Sequence, residues 1–133
     1  MNSFHLKIVT PDGLFFDGLA ESLTVRTGSG EVGILAGHMD YVTTLGMGRA
    51  KVVIDGKARY AACIGGMLSV SQGKVTVVAT TFEWAEEIDV PRAERSAENA
   101  RAVIANKTVH TKDEIALAEA RLKRALVRIG SAK

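Results

Sequence analysis

Between Thr81 and Ala93 the hydrophobic period of this chain changes, and that change limits the folds open to it. Before the join, apolar residues alternate with a period near two, the repeat of a strand with one buried face. After it they return every three or four positions, the repeat of a helix with one buried stripe. The hexapeptide at the join, Ile88-Asp89-Val90-Pro91-Arg92-Ala93, opens the helical part. Asp89 is a good N-cap, and Val90-Pro91 puts a proline into the first turn, where a missing N–H costs nothing. Arg92 is less expected there. A helix N-terminus already carries partial positive charge, so an arginine in its first turn invites an anion close by.

The glycines divide the chain at the same place. Twelve of the thirteen precede Lys74, and they separate short apolar runs at the spacing of an all-β unit. The strand-like runs are Phe4–Val9, Leu23 and Val25 alternating with polar neighbours, Val52–Ile54, Ala58–Ile64, Met67–Val70 and Val75–Ala79. Asp12-Gly13 and Asp55-Gly56 are read as hairpin dipeptides whose two residues both take positive φ. Ser71-Gln72-Gly73 is read as a three-residue equivalent. These runs predict an antiparallel β-sandwich over residues 1–84, with Trp84 plugging its end.

Residues 85–133 then predict a C-terminal antiparallel two-helix hairpin, which makes the chain α+β. Ala93, Ala97, Ala100 and Ile104 line one face of the first helix, and Asn106 to His110 make the turn. Thr111-Lys112-Asp113-Glu114 has capping-box form, with Thr111 as N-cap and Glu114 reaching back. The second helix presents Ile115, Ala118, Leu122, Ala125 and Ile129, and Gly130 is expected to stop it. A seam built so largely of alanine predicts a marginal association, able to open.

Charge is unevenly placed. The net charge is only +2 in 133 residues, yet the last acid is Glu119, and Arg121, Lys123, Arg124, Arg128 and Lys133 follow without counter-charge. Arg121, Arg124 and Arg128 fall at i, i+3 and i+7, on one side of the second helix. Closing the hairpin is expected to bring Arg124 and Arg128 towards Arg92, a constellation suited to an anion such as a nucleotide phosphate. The basic patch is too short to imply duplex nucleic acid, and no nucleic-acid partner is expected. No apolar run reaches the ~20 residues of a membrane span, so a soluble protein without direct membrane insertion is expected.

A catalytic constellation is not visible. His5, His38 and His110 are far apart and in no metal-ligand spacing, and no metal site or catalytic residue is expected. Gly28-Ser29-Gly30-Glu31-Val32-Gly33 superficially suggests a dinucleotide loop, but its glycine spacing is wrong and no helix follows. Cys63, the only cysteine, reads as a small buried hydrophobe. A stand-alone nucleotide-binding regulatory module therefore remains open on the residues alone.

Four stretches in order resemble the epsilon subunit of bacterial F-type ATP synthases, the counterpart of the mitochondrial delta subunit. They are Gly30-Glu31-Val32-Gly33-Ile34-Leu35 with Gly37-His38, Gly65-Gly66-Met67-Leu68 with Val75-Thr76-Val77-Val78-Ala79, the hexapeptide Ile88–Ala93, and Leu122-Lys123-Arg124-Ala125 with Arg128. The hexapeptide is similar to the I/L-D-x-x-R-A motif of members that bind ATP. The chain departs from the family at Ala36–Asp40, where many members carry prolines, and at Asn99, where some ATP-binding members carry arginine. The resemblance implies a non-catalytic central-stalk rotor subunit that takes part in coupling ion transport to ATP synthesis. It also implies a mobile hairpin that inhibits ATP hydrolysis, with ATP, with or without magnesium, as a regulatory ligand and no required cofactor. The implied partners are the gamma subunit, the c subunits of the membrane rotor ring and, for the extended hairpin, the alpha/beta catalytic head. The implied location is the cytoplasmic face of the bacterial cell membrane, as a peripheral subunit. The implied nucleotide contacts are Glu83, Ile88, Asp89, Arg92, Ala93, Arg124 and Arg128. Glu31 is expected to face the ring, and His38 to lie near gamma.

Overall fold

Two strands are long enough to serve both layers of the sandwich. The structure, a computed structural model, describes residues 2–106 and 108–132. Its strands are β1 (Phe4–Thr10), β2 (Gly13–Ala20), β3 (Ser22–Thr27), β4 (Gly30–Leu35), β5 (Tyr41–Thr44), β6 (Met47–Ile54), β7 (Lys57–Ser71) and β8 (Lys74–Trp84). They run in the order β2-β1-β8-β7-β6-β3-β4, with β5 joining β7 separately. β6 pairs with residues 57–64 of β7, whereas β5 pairs with residues 67–70. β1 pairs only with residues 74–78 of β8. The change of partner falls at Gly65 and Gly66, both at positive φ (67° and 113°), and there the sheet turns from one layer into the other. Gly66 has no room for a side chain, since a Cβ would lie 1.9 Å from the Val78 carbonyl oxygen. Ala58–Ile64 and Met67–Val70 are therefore one bent strand rather than two.

The pairing is antiparallel except between β1 and β8, which run parallel. These strands stand far apart in the chain, so no tight turn dictates their relative direction. Between the layers lie Leu6, Ile8, Leu23, Val25, Ile34, Val52, Leu68, Val70 and Val77, all almost fully buried. Cys63 is buried there too, and burial pushes its thiol up to about 12. Trp84 closes the end of the core as expected, packed by Phe15, Phe16 and Phe82 with ring centroids 5.5, 6.1 and 5.6 Å away. Consecutive residues of a regular strand point to opposite faces. Phe15 and Phe16 reach the same tryptophan because the β1–β2 register shifts between Ile8 and Val9, leaving Phe15 as the extra residue of a bulge.

The turns follow the expected chemistry at Asp55-Gly56, where both residues sit at positive φ (51° and 76°) between the paired Ile54 and Lys57. Two readings change. Gln72 and Gly73 form a two-residue turn of the same kind (φ 50° and 77°), because Ser71 already pairs with Lys74. At the first hairpin Thr10 pairs with Gly13, so Pro11 and Asp12 form the tip. Proline cannot take positive φ, and Gly13, at 114°, does so alone.

The helical half begins after a 3-10 turn, Ala85–Glu87, and comprises α1 (Val90–Ala105) and α2 (Lys112–Ser131). The Asp89 carboxylate accepts the Arg92 backbone N–H at 3.1 Å, closing the N-terminus of α1. Thr111 caps α2 by accepting the Glu114 N–H at 3.2 Å. Glu114 reaches back to the Thr111 hydroxyl at 3.2 Å and to His110 Nδ1 at 2.8 Å. Those hydrogen bonds, His110 first, hold its carboxyl below the usual carboxylate range. The connection runs from Asn106 to Thr111; Lys107 of the expected turn lies outside the described residues.

Ala93, Ala97 and Ala100 of α1 and Ala118 and Ala125 of α2 are buried, while Ile104, Ile115, Leu122 and Ile129 are half-buried. Gly130 does not end α2. The helix passes through it to Ser131, which is 1% exposed, so packing keeps the last turn helical where a free end would turn left-handed. α2 lies along α1 and also packs on β6 and β7. Ala62 and Ile64 of β7 are buried outside the sandwich core, on the face opposite Ala61 and Cys63.

Candidate functional site

The join between the two halves is a charged cavity. β8 ends by presenting Glu83, one residue before the buried Trp84. Ile88, 9% exposed, anchors the connecting segment, so Glu87 and Asp89 on either side of it stay at the surface. Helical spacing then places Arg92, Ala93 and Ser96 on one side of the first turns of α1. α2 returns along α1 and delivers Arg128 from its last turn, whose Nε donates to Glu83 Oε1 at 2.6 Å. Together Glu83, Glu87, Asp89, Arg92, Ala93, Ser96 and Arg128 enclose about 460 Å³. One wall is strand, one is linker, and two are helix.

Five of the seven nucleotide-site candidates, Glu83, Asp89, Arg92, Ala93 and Arg128, line this cavity. Ile88 is the buried anchor between two lining residues and does not itself line it among the described residues. Arg124 is half-buried on α2 and is not among the described lining residues either. Arg124 stands about 40° from Arg128 around the helix axis, so helical spacing alone does not separate the two. Sequence reading missed Ser96, which Arg92 plus four would have indicated. It also missed Glu87, which carried no periodic signal.

A second contact fixes the linker. Arg59 of β7 lays its guanidinium over the Trp84 ring, 3.8 Å from the centroid, and bonds to Glu86 in the 3-10 turn. The hydrogen bond from Arg59 holds the Glu86 carboxyl below the usual carboxylate range. Cation–π stacking and the ion pair thus tie the start of the helical half to the sandwich.

Glu31 and His38 lie elsewhere. Glu31 is exposed on β4 opposite Arg26 of β3, and with Arg26, Arg49, Lys51 and Tyr60 it borders a separate cavity of about 360 Å³. His38 follows β4; its Nδ1 lies 2.8 Å from the Met39 carbonyl oxygen, and its ring packs at 5.8 Å from Tyr41. Among the described residues no cluster of histidine, cysteine or carboxylate could hold a metal ion, and no helix is long and apolar enough to cross a membrane.

A β-sandwich carrying a helical hairpin, with a charged cavity where they join, defines the structural class. Residues 3–85 match the family model of the β-sandwich domain of the ATP synthase delta/epsilon chain, and residues 86–133 match that of its long α-helix domain. A chain from Ruminococcus albus named ATP synthase epsilon chain is 44% identical over 133 residues, covering 99% of this chain and 98% of its own length. The chain belongs to the ATP synthase delta/epsilon family, whose members are non-catalytic subunits of that complex.

Two solved assemblies share the fold. One is the Euglena gracilis mitochondrial ATP synthase OSCP/F1/c-ring structure, with TM-score 0.85, 24% identity, and coverage of 100% of this chain and 83% of the other. The second is the Tetrahymena thermophila mitochondrial ATP synthase central stalk and c-ring, with TM-score 0.65, 14% identity, and coverage of 97% and 96%.

Proposed function

We propose that this chain is a central-stalk rotor subunit of an F-type ATP synthase whose hairpin is a regulatory latch held closed by ATP. The observation that carries the latch reading is the composition of the cavity walls: Glu83 comes from the sandwich, Arg92 from α1 and Arg128 from α2. A ligand in that cavity touches all three parts, so it binds only the closed form. Binding then stabilises closure by about 2.7 kcal/mol at a hundred times the dissociation constant. The partly exposed Arg128–Glu83 pair contributes at most ~1 kcal/mol on its own. Ligand occupancy is therefore large enough to decide the state of an alanine-lined hairpin.

On this reading the sandwich binds the gamma subunit and the c subunits of the rotor ring, with Glu31 towards the ring and His38 towards gamma. The opened hairpin enters the alpha/beta head and blocks ATP hydrolysis, on the cytoplasmic face of the bacterial membrane. Co-purification from the native membrane tests the stalk role: recovery with gamma and the catalytic subunits is expected, and recovery alone would favour a free-standing regulator. Calorimetry with ATP and magnesium tests the sensor. Binding weakened by Arg92→Ala is expected; no binding by the wild-type chain would remove the sensor and leave the stalk role intact.

A further inference from the structure

The cavity bordered by Glu31 shares no described wall with the one at the join, and its lining residues all belong to the sandwich. Three cations, Arg26, Arg49 and Lys51, border its 360 Å³ together with one carboxylate, Glu31. Strand pairing sets Thr24, Lys51 and Tyr60 side by side across β3, β6 and β7, and makes Arg26 and Glu31 cross-strand partners. Among the described residues Arg26, Arg49 and Lys51 make no ion pair, Arg26 not even with Glu31. Two of the cations are nevertheless held in place. Arg49 carries its guanidinium 4.4 Å from the centre of the Tyr60 ring, a contact that fixes the group without neutralising it. Arg26 lies across Gly48, where an added Cβ would stand 3.0 Å from its Cδ and 3.1 Å from its Cβ. Gly48 lies within β6 and has no positive φ, so the close approach of Arg26, not the strand's conformation, is what calls for glycine there. Cations fixed around one cavity without matching counter-charge attract an anion.

We infer that this cavity binds a phosphate ester of a small polyol. Three separate cations favour a phosphate over a carboxylate, because its oxygens are numerous enough to accept from all three at once. The space exceeds what a phosphate alone fills, and the rest of its border includes the Glu31 carboxylate and the Thr24 hydroxyl. Glu31 repels phosphate but accepts hydrogen bonds from hydroxyl groups. The polyol end therefore lies towards Glu31 and the phosphate among the cations. Free glycerol 3-phosphate and the headgroup of phosphatidylglycerol share that chemistry. The site is built from the sandwich alone, so it depends neither on the hairpin nor on a nucleotide at the join.

Amide chemical shifts of the full chain test the site by position. Inorganic phosphate, glycerol 3-phosphate and glycerol are titrated into wild type, Arg49→Ala, Lys51→Ala, Gly48→Ala, Glu31→Ala and, as a charge-matched control, Lys123→Ala. Vesicles of phosphatidylcholine, with and without phosphatidylglycerol, are sedimented with the same proteins. Arg49, Lys51 and Lys123 are exposed, and circular dichroism melting verifies that every variant folds. Glycerol 3-phosphate is expected to shift residues 24–26 and 47–60 saturably and to bind more tightly than phosphate, with glycerol alone silent. Arg49→Ala and Lys51→Ala should each weaken it by about tenfold, the worth of one charge-assisted hydrogen bond. Gly48→Ala should weaken it with every charge kept, and Glu31→Ala should erase its advantage over phosphate. Lys123→Ala should change neither. Binding in solution that depends on Arg49 and Lys51 supports the site and assigns it a soluble ester. The same dependence seen only with phosphatidylglycerol vesicles supports it and assigns the lipid headgroup. No binding in either form, shifts confined to α1 and α2, or an equal loss with Lys123→Ala would overturn it.

Discussion

The sandwich and the hairpin are packed with different material. The largest almost fully buried side chains of the sandwich are leucine, isoleucine and valine, among them Leu6, Ile8, Leu23, Val25, Ile34, Val52, Leu68, Val70 and Val77. Within α1 and α2 every buried apolar residue among those described is an alanine. Burying a leucine or valine side chain stabilises a fold by about 1.5–3 kcal/mol, whereas a lone methyl contributes on the order of 0.8 kcal/mol. The two halves are thus closed with very different driving force. The sandwich holds itself together. The hairpin depends on small terms: a cap at each helix start, the Arg128–Glu83 pair, and the Arg59 clamp on the linker. On the latch reading proposed above, the unit of lower local stability opens first.

The largest expected effect lies in the sandwich. Leu68→Ala removes a fully buried side chain from one of the two strands that serve both layers and should cost about 2–5 kcal/mol in denaturant unfolding followed by Trp84 fluorescence. A cost below 1 kcal/mol would mean that the sandwich is as loosely built as the hairpin. Next comes the seam. Ala97→Leu places a large side chain where 1% of the alanine is exposed, and should destabilise the hairpin by about 1–3 kcal/mol. Hydrogen exchange should quicken in α1 and α2 and stay unchanged in β1–β8; equal loss in both halves would break the comparison.

Removing the cap is a smaller change of the same kind. Asp89→Ala should cost about 1 kcal/mol, read as faster exchange in the first turn of α1. The smallest effect is a pH response. Glu86 and Glu114 both titrate below the usual carboxylate range in the folded state, so their contribution is present above the unfolded value and lost as pH falls through the folded one. Acidification should loosen the linker and the start of α2 before the sandwich responds, and Glu86→Gln should abolish the linker's share. Amide exchange across that range distinguishes the order; simultaneous loosening of both halves would argue against local anchoring.

Much of this was legible in the residues because it rests on local chemistry. The change of period placed the join, Asp89 and Thr111 announced their caps, Asp55-Gly56 specified its turn, and Trp84 closed the core. The misread positions were those where a local signal has two meanings. Gly65 and Gly66 look like punctuation, yet they bend one strand between two layers because Val78 leaves no room for a Cβ. Gly130 looks like a stop, yet the burial of Ser131 carries the helix through. Pro11 alters its hairpin because a fixed φ outweighs the Asp-Gly preference that follows it.

For the site, the hexapeptide supplied Asp89, Arg92 and Ala93, and the basic stripe supplied Arg128. It did not separate Arg128, which lines the cavity with Arg92, from Arg124, which is not among its described lining residues. Composition and period alone determined that this chain is a β unit followed by an alanine-seamed hairpin with unpaired positive charge. Only the tertiary structure decided which arginine meets Glu83, which carboxylates wall the cavity at the join, and that Arg59 clamps the linker. Those outcomes depend on the docking of α2 against β6 and β7, and pairings between residues 27 or 45 positions apart leave no periodic trace in a sequence.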